Sequence, residues 1–434
     1  MNAPMPPSPV TARGAAILLL ESVLGRRRTL EAALSALPAM EARDRGFAHL
    51  IAATVLRRLG TLDAVLEPFL RRAPPEPVRH GLRAGAAQLL FLGTPRHAAV
   101  GETVAAVRAL PKGESFAGLA NAVLRRVADA GAAALAGLDS PRLDTPDWLW
   151  RSWHAAYGPE TARAIASAHQ AEPPLDLTLK PGEDGAAWAE RLGGTLLPTG
   201  TLRLPPAHAP VRDLPGYATG AWWVQDAAAA LPALLLAARP GERVADLCAA
   251  PGGKTAQLAA AGARVTAVER APERAARIGE NLARLGLEAE IVVADALSWS
   301  PPEPFDAVLL DAPCTATGTI RRHPDIARLK RPGDVAALTA MQDALIAAAA
   351  RLLRPGGRVV HAVCSLEPEE GEGVVARALA AGLGLAPAPF APGDLPGLDA
   401  AITEAGWLRT TPALLAAEGG MDGFFAARFT RTGE

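Results

Sequence analysis

The chain has 434 residues, half of them apolar, which is enough for roughly two or three domains with cores of their own. Its net charge of −1 is unevenly divided, because residues 1–140 carry 17 basic and 11 acidic side chains and the remainder carries 27 and 34. A basic front half favours nucleic acid as a partner, although arginines that only solvate helix faces would give the same balance. No apolar run approaches the length of about 18 residues that a membrane span needs, and the uncharged start does not resemble a signal peptide. We therefore expect a cytoplasmic protein without membrane association.

Residues 11–130 predict helices throughout, because apolar residues recur at helical spacing and strand patterns are absent. Paired arginines such as Arg57-Arg58 and Arg125-Arg126 are expected on the surface of this all-helical domain, placed at 1–140. Residues 131–150 are rich in Gly and Ala and then in Pro, which predicts a linker, and a short helix is expected over 147–170.

The pattern changes between residues 175 and 220. Leu175 to Leu179 alternates between apolar and polar residues, a helix is expected near 184–192, and Thr195 to Leu204 is compatible with a hairpin. Together with the linker, these segments predict a small α+β module over residues 141–220.

From about residue 225 strands alternate with helices, which predicts a doubly wound α/β sheet over 221–434 with a ligand at the carboxyl ends of its strands. The predicted helices are 254–261, 272–285 and 334–353. The predicted strands are 243–247, 264–268, 291–293, 307–310, 358–363 and 424–429.

Only three cysteines occur, and all of them lie in this part of the chain: Cys248, Cys314 and Cys364. A disulfide framework would need an even number of cysteines, and a zinc site would need paired spacings such as C-x-x-C, so we expect no metal. What remains is thiolate chemistry or inert burial, and free cysteine is among the most often buried residue types.

Gly252-Gly253-Lys254-Thr255 follows the first strand of the predicted sheet and suggests a nucleotide-binding turn. The P-loop pattern needs a glycine where Cys248 stands, and the dinucleotide pattern G-x-G-x-x-G is also absent. Glycines at a helix N-terminus still allow backbone N–H groups to approach a carboxylate. Glu269 ends the second strand, where it can bind ribose hydroxyls, and Asp295 follows the third, within reach of an adenine. S-adenosylmethionine offers a carboxylate, a ribose and an adenine, although either acidic residue alone could be a solvated strand end.

Asp311-Ala-Pro-Cys314 follows the fourth strand and Cys364-Ser365 follows the fifth, so both thiols should lie above the same edge of the sheet. Two thiols and a carboxylate beside a methyl donor suggest covalent catalysis on an electron-poor carbon. Carbon 5 of a pyrimidine fits, because it is not nucleophilic until a group adds at carbon 6.

These segments closely resemble motifs of the RNA (cytosine-5)-methyltransferases, and the helical front half resembles the NusB-type RNA-binding domain of the RsmB subgroup, which acts on small-subunit ribosomal RNA. The resemblance is carried by Asp246 to Thr255, Asp311 to Gly318 with Arg321 to Asp325, Ala362 to Glu370, and Asp422 to Phe425. It implies a multidomain protein with an all-α NusB-like domain, a small α+β module and an α/β Rossmann-like class I methyltransferase domain.

The resemblance also implies roles for individual residues. Cys364 matches the nucleophile, Cys314 the cysteine that helps to release the product, and Asp311 a residue near the cofactor and the cytosine edge. Cys248 is then a packing residue rather than a reactive thiol. The matched cofactor-binding positions are Cys248, Ala249, Ala250, Pro251, Gly252, Gly253, Lys254, Glu269, Asp295 and Asp311. In one departure, Val363 stands where the family usually has Thr before the nucleophile.

The sequence thus predicts methyl transfer from S-adenosylmethionine to carbon 5 of a cytosine in RNA, most simply 16S ribosomal RNA, through a Cys–cytosine adduct. Arg321, Arg322 and His323 are expected to hold RNA phosphate, unless they form a solvated basic loop. The partner is ribosomal RNA or an assembling ribosomal particle, and the protein is expected to be a monomer. Two alternatives stay open: an RNA-binding assembly factor without catalysis, and an RNA uracil-5 methyltransferase.

Overall fold

The computed structural model describes residues 10–206 and 209–433, so the first nine residues, which entered the expectation about a signal peptide, lie outside it. The chain divides into two compact units. Residues 10–170 and Ile320–Lys330 form the first, and residues 171–319 and 331–433 form the second. The division predicted at residues 140 and 220 remains a prediction.

The first unit is helical, as predicted, and none of its described residues lies in a strand. Residues 131–150, predicted as a linker, instead contain α8 and the start of α9, and α9 bends at Gly158, where φ is 78°. The helices are α1 (Ala12–Leu20), which continues as a π-helical turn (Glu21–Gly25), α2 (Leu30–Ser35), α3 (Ala42–Arg57), α4 (Leu59–Leu66), α5 (Glu76–Leu90), α6 (Arg96–Arg108), α7 (Ala117–Ala130), α8 (Ser140–Asp144) and α9 (Asp147–Ala168).

The second unit begins with a small antiparallel sheet of order β2-β3-β1-β4. Its elements are β1 (Leu175–Leu179), α10 (Gly185–Leu192), β2 (Thr195–Leu196), β3 (Leu202–Leu204) and β4 (Trp222–Val224), so the sheet extends past the predicted boundary at residue 220. Arg203 donates two hydrogen bonds of 2.7 Å to the buried carboxylate of Asp176. Asp176 also accepts a bond from the backbone N–H of Ala227, and so ties this sheet to the helix that follows it.

A mixed sheet of order β10-β12-β9-β8-β5-β6-β7, with β11 beside β12, forms the centre of the second unit. Strands β5 to β9 are parallel, which confirms the doubly wound prediction, and β12 runs antiparallel to β9. The carboxyl ends of the five parallel strands therefore share one edge. The strands are β5 (Arg243–Leu247), β6 (Arg264–Glu269), β7 (Glu290–Val293), β8 (Phe305–Asp311), β9 (Leu353–Val363), β10 (Leu385–Pro387), β11 (Leu408–Arg409) and β12 (Phe425–Arg431).

Helices pack on the central sheet, as alternation of strands and helices requires. In chain order they are α11 (Ala227–Leu236), α12 (Gly253–Ala260), α13 (Pro272–Leu285), α15 (Pro332–Leu352) and α16 (Glu372–Ala380). Between α13 and α15 the chain also forms α14 (Ile326–Leu329), which belongs to the first unit and contacts its π-helical turn. By length and composition α15 is apolar enough to cross a membrane. Its residues Leu345, Ile346 and Ala349 are buried in the core against β8 and β9, which accounts for its apolar character.

The segment Ile320–Lys330 is anchored within the first unit by hydrogen bonds. The Asp325 carboxylate accepts a bond of 2.9 Å from the backbone N–H of Leu30, at the start of α2. Arg328 donates to the carbonyl oxygens of Leu56 and Asp144, at 3.2 and 2.7 Å. The chain therefore leaves the second unit directly after the Cys314 motif, completes the first unit and then returns.

Candidate active site

The two cysteines of the predicted catalytic pair are in contact. Cys364 directly follows β9, and Cys314 comes three residues after the end of β8. Since β8 and β9 are neighbouring parallel strands, with Asp311 paired to Ala362, both loops start at the same edge. The two Sγ atoms lie 3.4 Å apart, and both residues are half-buried. The parallel register thus brings together two thiols that are 50 residues apart in the chain.

The environment of Cys314 keeps its thiol protonated. Its hydrogen bond with Cys364 raises the pKa well above the ordinary value, and burial and the negative charge of Glu370 act in the same direction. A protonated Cys314 can donate its S–H to the sulfur of Cys364. Cys314 is therefore suited to remain a thiol and to act as the hydrogen-bond donor of the pair.

Lys254 was expected only as part of the cofactor turn, but its ammonium group lies beside the reactive pair. Its Nζ donates a 2.8 Å hydrogen bond to Asp311 and lies 5.2 Å from the centre of the Phe424 ring. Burial lowers the pKa of Lys254, but the negative charges of Asp311 and Cys364 outweigh it, so that the pKa is raised. A positive charge therefore lies near Cys364, which the sequence did not predict.

The loops that carry the cysteines are held by a close approach of two glycines. The backbone N–H of Gly318 donates to the carbonyl of Cys364 at 3.1 Å, and the N–H of Gly423 donates to the carbonyl of Gly318 at 2.9 Å. A Cβ atom on Gly318 would lie 1.9 Å from the carbonyl oxygen of Gly423. Three motifs noted in the sequence therefore meet here, and only glycine fits at position 318.

The turn that begins at Cys248 connects β5 to α12, and its backbone conformation requires a glycine at position 252. Gly252 caps α12 with φ at 99°, and a Cβ there would lie 3.1 Å from Ile278. Cys248 has φ at 59°. Burial, with the nearby carboxylates of Asp311 and Glu269, raises the pKa of its thiol to about 12. Cys248 is thus unreactive near neutral pH, in line with the packing role expected for it.

Acidic side chains stand at the ends of the strands beside this turn. Glu269 ends β6 and accepts hydrogen bonds from the backbone of Ala250 and Ala271, at 3.4 and 3.1 Å. Asp295 follows β7 and accepts from the N–H of Leu297 at 3.0 Å. Asp246 in β5 is completely buried, and its Oδ1 has no hydrogen-bond partner among the described residues. Burial raises its pKa to about 7.

These features fit S-adenosylmethionine. The Oδ1 of Asp246, which has no partner in the part of the chain that the structure describes, can accept a hydrogen bond from the ammonium group of this ligand, and the carboxylates of Glu269 and Asp295 can accept hydrogen bonds from its ribose hydroxyls and adenine. The glycine turn at the N-terminus of α12 suits the carboxylate of the ligand. Among the described residues no group of three or more His, Cys, Asp or Glu side chains is placed to hold a metal ion.

The basic triplet after the Cys314 motif is only partly available to RNA. Arg321 is 2% exposed, Arg322 is half-buried and His323 is exposed, and all three belong to the first unit. Arg321 would have to become more exposed before RNA phosphate could touch it, and its RNA contact stays a prediction, like those of Arg322 and His323. The residue is buried because its segment packs as part of the folded first unit, which local sequence does not reveal.

Comparison with known proteins identifies the family. The sequence pattern of the family described as 16S rRNA methyltransferase RsmB/F matches residues 233–430, and that of the NusB family matches residues 10–129. The chain belongs to the RsmB/F family of 16S rRNA methyltransferases. RsmB/F enzymes take their methyl group from S-adenosylmethionine, which confirms the predicted cofactor, and the predicted RNA substrate class agrees with the family.

Two relatives with known names match this chain over nearly its whole length. The ribosomal RNA small subunit methyltransferase B of Pseudomonas syringae pv. tomato is 38% identical over 443 residues, which cover 96% of each chain. That of Pseudomonas putida is also 38% identical and covers 96% of this chain and 98% of its own. The crystal structure named PH0851 has a TM-score of 0.71 at 21% identity, covers 99% of both chains and shows the same fold.

Proposed function

We propose that the protein methylates carbon 5 of a cytosine in 16S ribosomal RNA through a covalent bond between Cys364 and carbon 6 of the base. The observation that carries this proposal is the pair of thiols 3.4 Å apart beside the Lys254–Asp311 ion pair. A methyltransferase acting on a nucleophilic nitrogen or oxygen has no need of two cysteines at the reacting edge. An electron-poor pyrimidine carbon does, because it must first be activated by addition.

Cys364 is the nucleophile in this proposal. The Lys254 ammonium favours its thiolate by charge attraction, and the S–H of Cys314 donates a hydrogen bond to it. The target cytosine must leave the base stack, because neighbouring stacked bases would shield the faces of ring carbons 5 and 6 from the thiol. Addition of Cys364 at carbon 6 moves an electron pair to carbon 5.

Asp311 favours cytosine over uracil. Its carboxylate is held by Lys254 and accepts a hydrogen bond from the exocyclic amine of cytosine. Uracil has a carbonyl oxygen at that position, which also only accepts hydrogen bonds, so it could not bond to Asp311. S-adenosylmethionine, when bound, supplies a methyl group on a positively charged sulfur. The Gly252-Gly253 turn, Glu269 and Asp295 hold the donor so that this group faces the activated carbon 5.

Product release reverses the addition. A base removes the proton from methylated carbon 5, the electron pair re-forms the double bond between carbons 5 and 6, and the bond from carbon 6 to Cys364 breaks. The departing sulfur is a thiolate, and the protonated Cys314 stabilises it by donating its S–H. Cys314 thus assists the breaking of the same bond that Cys364 forms.

The helical unit supplies the RNA-binding surface in this proposal, with Arg322 and His323 as phosphate contacts. It matches the NusB family, and its part of the sequence is basic. The substrate is free ribosomal RNA or an assembling particle, the protein acts as a monomer, and it works in the cytoplasm.

Tritium transfer from labelled S-adenosylmethionine to 16S RNA tests the reaction, with nucleoside mass spectrometry of the product. We expect 5-methylcytidine, no turnover for Cys364→Ala, and for Cys314→Ala a covalent protein–RNA adduct that survives a denaturing gel. Wild-type turnover by Cys364→Ala would show that the nucleophile is misassigned. A 5-methyluridine product would support the uracil enzyme, and RNA binding without transfer would support the assembly factor.

A further inference from the structure

A buried carboxylate joins the two loops that carry the cysteines. Glu370 is 0% exposed and accepts hydrogen bonds from the backbone N–H of Thr315 at 2.9 Å and from the hydroxyl of Ser365 at 2.6 Å. The hydroxyl of Thr315 donates to it as well. Thr315 directly follows Cys314, and Ser365 directly follows Cys364. One side chain therefore contacts the residue next to each thiol.

A third element fixes Glu370 itself. The amide of Gln342, on α15, donates to Glu370 at 3.1 Å and to the carbonyl of Pro313 at 2.9 Å. Burial of a carboxylate is unfavourable unless its oxygens find donors, and here Thr315, Ser365 and Gln342 supply them. An apolar side chain would fill the same space without the desolvation penalty of a buried charge, but it could not form hydrogen bonds with the two loops.

We propose that Glu370 is a positioning residue that holds the Cys314 and Cys364 loops at the separation at which their sulfurs touch. The inference rests on the proposed function of the two thiols. The pairing of Asp311 with Ala362 brings both loops to one edge of the sheet, but Cys314 and Cys364 lie beyond the paired residues, so the register does not by itself fix the 3.4 Å between their sulfurs. The carboxylate fixes the distance between the residues that follow them. The negative charge of Glu370 also helps to keep Cys314 protonated.

The test is Glu370→Gln, with Glu369→Gln as a matched control. The amide keeps the shape of the side chain but replaces one acceptor oxygen with a donor, so it cannot accept all the bonds from Thr315 and Ser365. Glu369 is the neighbouring carboxylate and is exposed. Single-turnover methyl transfer at saturating RNA should slow about 10- to 100-fold in Glu370→Gln, because displacement of reacting groups by about 1 Å costs about that much. The RNA dissociation constant and the Glu369→Gln rate should not change.

A second measurement reports the thiol separation without RNA or methyl donor. Diamide removes two electrons and two protons from a pair of thiols, which become a disulfide while diamide becomes a hydrazine. Peptide mass spectrometry gives the rate at which Cys314 and Cys364 become linked. Since this rate depends on how closely the sulfurs approach, we expect it to fall at least about tenfold in Glu370→Gln and to stay unchanged in Glu369→Gln.

The outcomes separate the two proposals. A wild-type disulfide rate in folded Glu370→Gln overturns the positioning role, and so does a slow disulfide rate combined with wild-type methyl transfer. Activity of Cys364→Ala overturns the proposed function instead, while the disulfide rate still reports on the geometry. If Glu370→Gln does not fold, Ser365→Ala, which removes one donor and keeps the carboxylate, undergoes both measurements and must slow both rates.

Discussion

Gly318→Ala should nearly abolish methyl transfer although it adds only one methyl group. The new Cβ would lie 1.9 Å from the carbonyl oxygen of Gly423 and 2.8 Å from its Cα, and neither of these backbone atoms can rotate away. Ordinary contact begins at 3.4 Å, so the two segments must separate by about 1.5 Å. Gly318 also donates its N–H to the carbonyl of Cys364, so this separation is transmitted to the nucleophile.

A displacement of that size predicts a loss of kcat of at least about 100-fold. The accompanying overpacking should cost about 1–3 kcal/mol in the free energy of unfolding, which leaves the protein folded in urea titrations. Gly333→Ala is the matched control, because a Cβ there meets nothing within 4 Å. A Gly318→Ala protein with wild-type kcat would refute the idea that the contact of Gly318 with Gly423 sets the position of Cys364.

Three further predictions follow from buried charged or titratable groups. Asp176→Ala should lower the free energy of unfolding by about 3–5 kcal/mol in urea, because it leaves the buried guanidinium of Arg203 unpaired, and Asp176→Leu with Arg203→Met should recover most of the loss. Cys248, whose pKa burial raises to about 12, should remain unlabelled by iodoacetamide at pH 8 in native protein, and labelling at the rate of the unfolded chain would contradict this. Burial lowers the pKa of His361 from 6.5 to about 4, so the unfolded chain binds the extra proton and stability is lost as the pH falls from 6.5 towards 4. Urea titrations should show this loss as up to about 3 kcal/mol in the free energy of unfolding, and His361→Gln should lose less over the same pH range. An equal loss in His361→Gln would show that the histidine is already charged in the folded state.

Local sequence was enough to predict the parts of the site that lie at strand ends. The run from Arg243 to Leu247 forms β5 as predicted, and Glu269 closes β6. Because parallel strands align their carboxyl ends, the thiols of Cys314 and Cys364 could be placed together from strand patterns alone. The late strand was found too, although its antiparallel direction beside β9 was not foreseen.

What local sequence could not predict depends on contacts between distant segments. The bond from Ser365 to Glu370 is local, but that from Thr315 spans 55 residues and that from Gln342 originates on another helix. Arg321 has the composition of an exposed basic loop and is buried only because its segment joins the helical unit. Hydrophobic periodicity carries no information about such pairings, because it reports which face of an element is buried and not which residue covers it.

The placement of Ile320–Lys330 has a consequence for how the protein is made. The helical unit is encoded first, yet Leu30 and Leu56 find their hydrogen-bond partners Asp325 and Arg328 only after about three quarters of the chain has left the ribosome. Translation at about 5–20 residues per second leaves this unit incomplete for tens of seconds at the slower rates. The nascent protein therefore cannot complete its helical unit before more than half of the second unit has been synthesised.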